Sequence, residues 1–192
     1  MIKKYLGETI DIHGGGSDLL FPHHECEIAQ SESLHGTPLA HYWMHNGYIH
    51  INEQKMSKSL GNSITVRELL EEVSPEALRY VILSTHYRNP LHFSDEVLVQ
   101  AENSVARLHN TKINLEHRLP NADREDTAES DKFSKRIDEF ERQFDQKMSD
   151  DFHTADALTV WFELANALNP YLQEETVQRT VIEKALHVFH TW

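Results

Sequence analysis

Residues 9–32 read TIDIHGGGSDLLFPHHECEIAQSE, and this stretch decides what is expected of the first part of the fold. Its opening, residues 9–12, predicts a short strand that ends at the three glycines of residues 14–16. The sequence of residues 21–32 has helical character, and Pro22 suits the first turn of a helix. A strand, a glycine-rich turn and a helix in this order predict an α/β unit.

Further along the chain, residues 48–51 alternate and are β-branched, which predicts a second strand followed by a polar loop. Thr65 with Glu68 forms a capping-box pattern, so a helix is expected to begin there. Ser74, with a proline directly after it, predicts another helix start.

From residue 94 onward the sequence changes character, because no glycine follows Gly61 and apolar residues recur every three or four positions. This pattern predicts only helices, with a flexible connection over residues 119–130 and breaks at residues 149–151 and 169–170. The helices are expected at residues 95–117, 131–147, 154–168 and 174–189. The fold class is therefore expected to be mostly α, with an α/β part followed by a helical bundle.

Composition narrows the class of protein. The 192 residues are 39 % hydrophobic, enough for a globular core, and no window is apolar enough to cross a bilayer. The single cysteine, Cys26, and the lack of a signal-peptide pattern favour a cytoplasmic protein. The net charge of −13 argues against general binding to phosphate backbones, so any RNA contact is expected to be local.

A lysine-containing loop carries the strongest local signal. Residues 55–59 read Lys-Met-Ser-Lys-Ser, and two ammonium groups beside small hydroxyl residues suit the stabilisation of a triphosphate. The alternative interpretation of such a loop is an ordinary solvated basic loop.

The glycines at 14–16 let a ligand approach the backbone, and Asp18 could accept hydrogen bonds from a ribose. An ordinary turn is the alternative there.

The beginning of the first predicted helix carries a candidate metal site. His23 and Glu27 stand four residues apart on one helix face, with Cys26 beside them. Imidazole, carboxylate and thiolate are all zinc ligands. Ordinary polar residues of a first helical turn are the alternative interpretation. Seven of the fourteen histidines lie within the first fifty residues, which also indicates a polar site or metal chemistry.

These motifs, in this order, resemble the cysteinyl-tRNA synthetases. Residues 13–32 resemble the family pattern nearly throughout, as do residues 41–49, HYWMHNGYI. The loop at 55–59 is the signature loop of class I aminoacyl-tRNA synthetases. Residues 76–80 and 148–152 resemble the family's stem-contact and helical regions.

The resemblance implies an ATP-dependent reaction. The family joins cysteine to ATP, giving cysteinyl adenylate and pyrophosphate, and then transfers cysteine to its tRNA. By position, Gly16 and Asp18 would hold the ribose, and the backbone near Tyr48 and Ile49 would contact adenine.

The same resemblance implies three catalytic residues, Lys55, Lys58 and His45. The two lysines would stabilise the leaving pyrophosphate, and Lys58 would also contact the nucleotide. His45 would line the substrate pocket.

The resemblance also implies a zinc ion that binds the substrate thiolate. His23 and Glu27 match two of its four ligands, while His13 and His24 would line the same pocket. The other two ligands of the family are cysteines upstream of this sequence, so zinc binding is left open here, with Cys26 as a possible replacement ligand.

The family pattern divides the chain into three regions. Residues 1–62 correspond to the second half of a Rossmann-type nucleotide-binding domain, residues 63–94 to a stem-contact region and residues 95–192 to a DALR-type helical bundle that contacts tRNA. An internal fragment is expected, without the first half of the catalytic domain and the last anticodon-binding domain. Such a chain is expected to self-associate or to use a partner chain, and to have partial activity or none on its own.

Two other functions remain open. One is a ligase that attaches cysteine to an amino sugar, although the helical bundle favours the tRNA enzyme. The other is a non-catalytic paralogue that binds a nucleotide, tRNA or a protein partner.

Overall fold

The chain folds into two compact units in a computed structural model that describes residues 2–51, 54–56 and 63–192. The α/β unit comprises Met1–Ser63 and Tyr87–Ser94, and the helical unit comprises Ile64–His86 and Asp95–Trp192. The two kinds of structure expected from the sequence are both present.

The α/β unit contains a parallel βαβ arrangement. Helix α1 is Ile2–Leu6, strand β1 is Ile10–Gly16, helix α2 is Glu25–His35 and strand β2 is Ala40–Asn46. Strands β1 and β2 pair in parallel from Ile10 opposite Ala40 onward. Two short helical turns occupy the residues between β1 and α2.

Strand β1 extends further than expected, because it includes the three glycines. A Cβ atom at Gly14 would lie 3.3 Å from the Met44 carbonyl oxygen, so close packing against β2 favours glycine there. Strand β2 had no counterpart among the expected elements. Its sequence, AHYWMHN, mixes polar and aromatic residues without a strict two-residue alternation.

A second, three-stranded sheet belongs to the same unit. It consists of β3 (Ile49–Ile51), β4 (Gln54–Lys55) and β5 (Leu91–Phe93) in the order β4-β3-β5. Strand β3 is antiparallel to β4 and parallel to β5. A side chain at Gly47 would collide with the Asn89 carbonyl, so the chain can enter β3 along this path only with glycine.

The helical unit contains two short and four long helices. They are α3 (Val66–Leu69), α4 (Pro75–Leu83), α5 (Asp95–Arg118), α6 (Ala128–Ser149), α7 (Thr154–Tyr171) and α8 (Arg179–Thr191). The capping box of Thr65 and Glu68 is present, and the Ser74 hydroxyl accepts a hydrogen bond from the Ala77 amide at 3.2 Å. Both expected helix starts are therefore confirmed.

The core of the helical unit lies between its four long helices. Leu115, Ile137, Leu164, Leu168 and Ile182 are fully buried and come from α5, α6, α7 and α8. No helix in the described part of the chain is both long and apolar enough to cross a membrane.

Helix α2 begins at Glu25 rather than at residue 21, and three boundaries of the four long helices differ from the expectation by more than two residues. Helix α6 begins at Ala128, where Thr127 supplies an unforeseen capping box. Helix α7 continues through Pro170, and the expected break at 169–170 is wrong. Pro170 lacks the amide that would donate to the carbonyl of Asn166, but only Tyr171 of α7 follows it, so little of the helix is displaced.

Helix α8 begins at Arg179 rather than at residue 174, because other contacts hold Val177 and Gln178 directly before it, and Gln178 has extended backbone angles. The Tyr171 hydroxyl donates to the Gln178 side chain at 2.9 Å and accepts from the Gln178 amide at 2.8 Å. The Asp123 amide donates to the Val177 carbonyl at 2.8 Å, which also ties down the connection expected to be flexible.

Candidate active site

A cluster of histidines lies on one face of the β1–β2 pair. In the parallel register His13 stands opposite Trp43 and Gly15 stands opposite His45. Side chains two residues apart on a strand point to the same face, so these four positions share one side of the sheet. His24 and Glu27, from the helical segment after β1, complete the group. We call His13, His24, His45 and Glu27 the histidine cluster.

Two short side-chain contacts organise the histidine cluster. His13 Nε2 lies 2.6 Å from Glu27 Oε2, and His24 Nδ1 lies 2.8 Å from His45 Nε2. The potential ligand atoms of His13, His24 and Glu27 all lie within 4.8 Å of one another. One cation could therefore contact all three residues.

Burial controls the protonation of the central histidine. Only 4 % of His24 is exposed, and this burial, followed by the nearby charge of His13, lowers the pKa of His24 below its usual value. His24 is therefore neutral at neutral pH, and a neutral imidazole is the form that binds a metal. A Cβ atom at Gly15 would lie 2.9 Å from His24 Cε1, so glycine leaves room for this ring.

The donor set of the histidine cluster suits a divalent cation. Two imidazole nitrogens and one carboxylate oxygen are ligands that zinc accepts. His45 contacts Nδ1 of His24, so Nε2 of His24 is left to bind a metal ion. A hydrogen-bond partner such as His45 also fixes the orientation of a metal-binding ring.

Comparisons with known protein families agree with this arrangement of a βαβ unit followed by helices. The family described as tRNA synthetases class I (C) catalytic domain matches residues 1–103, and the DALR domain family matches residues 143–192. This chain belongs to the class I (C) tRNA synthetase family.

Individual proteins are also similar to this chain over nearly its whole length. It is 50 % identical over 183 residues to the cysteine–tRNA ligase of Bacillus cytotoxicus, covering 95 % of this chain and 39 % of that protein. It is 48 % identical over 189 residues to the cysteine–tRNA ligase of Shouchella clausii, covering 98 % of this chain and 40 % of that protein. The chain thus spans about two fifths of the length of these relatives.

Solved structures support the synthetase fold. The LeuRS of Agrobacterium radiobacter K84, in a ternary complex with tRNA and LeuAMS, matches with a TM-score of 0.75 at 18 % identity and covers 94 % of this chain and 24 % of that one. The methionyl-tRNA synthetase of Mycobacterium tuberculosis, in complex with methionyl-adenylate, matches with a TM-score of 0.67 at 20 % identity and covers 94 % and 39 %. These likenesses show the fold alone, and the Rossmann-type and helical architecture expected for this chain fits them.

The two residues implied as zinc ligands take different positions in this synthetase family chain. Glu27 belongs to the histidine cluster, whereas His23 is exposed and is in no group of three potential ligands within the described residues. His13 and His24, which the resemblance implied only as pocket residues, are the ones that join Glu27. Cys26 is a free, exposed thiol outside that group.

The residues implied in nucleotide binding lie at the ends of strands. Gly16 ends β1, and Asp18 follows in the next helical turn. A Cβ atom at Gly16 would lie 2.5 Å from Asp18 Oδ1, so the aspartate side chain folds back over the glycine. The carbonyls of Tyr48 and Ile49 each accept an amide hydrogen bond at 2.8 Å, from Leu91 and Met56 respectively.

The signature loop is described only in part. Lys55 lies in β4, where its backbone pairs with His50. Lys58 lies outside the described residues.

Trp43 is a member of the site that the sequence did not single out. Its ring centroid lies 4.6 Å from that of His13 in an edge-to-face contact, and 5.2 Å from that of His24. It also stacks on His45, with centroids 6.1 Å apart. The two-residue spacing of Trp43 and His45 would have indicated a shared face if β2 had been recognised as a strand.

Proposed function

We propose that this chain provides the nucleotide-binding and cysteine-binding part of a cysteine–tRNA ligase. That enzyme would activate cysteine with ATP and transfer it to tRNA(Cys). The histidine cluster is the observation that carries the proposal, because His13, His24 and Glu27 are potential ligands of one cation and belong to the βαβ unit of a class I synthetase fold. The names of the similar proteins support the choice of cysteine.

Activation would take place at the ends of the strands. A carboxylate oxygen of cysteine would attack the α-phosphorus of ATP, and the bond to the bridging oxygen would break to release pyrophosphate. Gly16 and Asp18 would hold the ribose, and the backbone around Tyr48 and Ile49 would contact adenine. The adjacency of Gly16 and Asp18 supports this role, since a ligand can approach a glycine backbone closely.

The lysines of the signature loop would act on the leaving group. Negative charge accumulates on pyrophosphate as the bond breaks, and the ammonium groups of Lys55 and Lys58 would stabilise it. A fixed positive charge stabilises the transition state more than the ground state when the negative charge that it faces develops during the reaction.

A zinc ion would be held by His13, His24 and Glu27, with His23 as a further candidate from the family pattern. The donor types fit, and the lowered pKa of His24 keeps its ring available without competition from a proton. When bound, zinc supplies a ligand position that accepts a thiolate and binds a serine hydroxyl far more weakly. The protein's own part is to orient the rings, through His45 on His24 and Glu27 on His13.

Transfer RNA would contact residues 63–94 and the bundle of residues 95–192. The match of residues 143–192 to the DALR domain supports a tRNA enzyme over an amino-sugar ligase. With a chain charge of −13, these contacts would be few and local.

The Lys58→Ala variant tests the nucleotide role. We expect its affinity for ATP to fall about tenfold or more, because a hydrogen bond to a charged group contributes about 1.5–3 kcal/mol. Isothermal titration calorimetry with ATP and Mg²⁺ measures the change. Lys132→Ala, at an exposed lysine of α6, is the matched control and should bind like the unchanged chain. Equal affinities of the Lys58→Ala and Lys132→Ala chains would contradict the role of Lys58.

The α/β unit is also proposed to associate with a second copy or with a partner chain. Within the described residues β1 pairs only with β2, and Ile12 and Tyr42 on these strands are 55 % and 70 % exposed. Parallel sheets are normally covered, so these edges and side chains favour association.

Light scattering over a wide range of protein concentrations tests this association. We expect the mass to rise with concentration, and Tyr42→Lys to shift the chain toward monomer. A monomer at every concentration, with the amides of both strands protected from exchange, would contradict the proposal.

A further inference from the structure

The helical unit contains a cavity of about 390 Å³ that the proposed synthetase chemistry does not use. Helices α4, α5 and α7 each line it with four residues at spacing i, i+3, i+4 and i+7, beginning at Glu76, Val105 and Thr154 respectively. This spacing places four side chains on one face of each helix. The lining is completed by Phe144 and Met148 of α6, Phe189 of α8 and Trp192.

The cavity has an aromatic wall. The rings of Phe144 and Trp192 stack with centroids 4.1 Å apart. Trp161 meets Trp192 at nearly a right angle and Phe189 at a centroid distance of 5.7 Å. Flat faces and edges arranged in this way favour a planar apolar guest, which can stack on one ring and meet another edge-on.

Three basic side chains belong to the lining. Arg79 and His109 are exposed and Lys112 is half-buried, whereas Glu76 is the only acid among the lining residues. No ion pair or side-chain hydrogen bond to another described residue is formed by Arg79, His109 or Lys112. In a chain with a net charge of −13, three such basic groups around one apolar cavity mark a local preference for an anion.

The indole nitrogen of Trp161 is buried and has no hydrogen-bond partner among the described residues, so Trp161 offers a guest its ring and not its N–H. The cavity volume and its mainly apolar lining with a few polar groups are typical of small-molecule sites.

We propose that this cavity binds a small molecule with a flat apolar body and one anionic group, such as an aromatic carboxylate. The body lies against Trp161 and Trp192, and the anion faces Arg79 and Lys112. This inference is independent of the proposed ligase function, because every lining residue belongs to the helical unit and none to the histidine cluster.

Naphthalene-2-carboxylate is a suitable probe, and 2-naphthalenemethanol is its uncharged counterpart. The full chain is titrated with each, and the indole N–H resonances are followed by NMR. Trp161 and Trp192 are expected to shift in a saturable way, whereas Trp43 in the α/β unit stays unchanged. The carboxylate should bind about tenfold more tightly than the alcohol, since a charge-assisted contact distinguishes them.

Two variants locate the site. Lys112→Met is expected to weaken binding of the carboxylate about tenfold and to leave the alcohol unaffected, while Lys132→Met on the exposed face of α6 changes neither. Leu158→Trp fills the cavity and should abolish the shifts for both probes. Equal affinity for acid and alcohol, unchanged binding in Lys112→Met, or no saturable shift of Trp161 would each overturn the proposal.

Discussion

The His24→Ala variant is expected to lose about a hundredfold or more of the chain's affinity for zinc. Removing a partner that only orients a metal ligand already costs about tenfold to a hundredfold, and His24 is proposed as a direct ligand. The variant also removes the side chain that connects His45 to the rest of the histidine cluster. Competition with a chromophoric chelator measures the affinity, and cobalt substitution reports the ligand geometry through its visible spectrum.

His41→Ala is the matched control, because His41 is an exposed histidine on the same strand as His45. It should bind zinc like the unchanged chain. His23→Ala separates the two candidate ligand sets: a large loss would favour the family pattern, and a small one the geometry of the described residues. Unchanged affinity in His24→Ala would contradict the role of the histidine cluster in metal binding.

The second large effect is expected in the core of the helical unit. Leu164 on α7 is fully buried in the cluster of apolar residues that joins the four long helices. Leu164→Ala should lower the free energy of unfolding of this unit by about 2–5 kcal/mol, because the substitution loses buried apolar surface and leaves a cavity. Urea unfolding followed by far-ultraviolet circular dichroism measures the loss.

Leu70→Ala applies the same change to a leucine that is 43 % exposed in the same unit. We expect it to cost less than about 1 kcal/mol, since much of that side chain already contacts water. Equal losses in the two variants would show that the bundle does not depend on the packing around Leu164.

Local chemistry explains why part of the fold could be predicted. The helix starts at Thr65 and Ser74 follow from side chains that bond to amides three residues ahead, and such contacts need no distant partner. The long helix α5 follows from its apolar periodicity. In contrast, the start of α8 depends on Asp123, which is distant in sequence, and on the hydroxyl of Tyr171 at the end of the preceding helix, and no local pattern reveals these contacts.

The sequence predicted the types of residue in the candidate site better than it predicted which side chains contact one another. The spacing of His23 and Glu27 suggested a shared helix face, but a helical turn with non-helical angles at Phe21 precedes α2 and leaves His24 as the buried histidine. The contact between His13 and Glu27 joins residues 14 positions apart. This contact depends on how the strand packs against the helix, and the spacing of residues within one element does not predict that packing.

The most direct test of the proposed function is a calorimetric titration with a non-hydrolysable cysteinyl-adenylate analogue, a sulfamoyl adenosine. The seryl analogue serves as the comparison, and the metal content is measured on the same sample. If the chain provides the nucleotide-binding and cysteine-binding part of a cysteine–tRNA ligase, it should contain stoichiometric zinc and bind the cysteinyl analogue with micromolar affinity and the seryl analogue far more weakly. Absence of zinc together with no binding of either analogue would contradict the proposal.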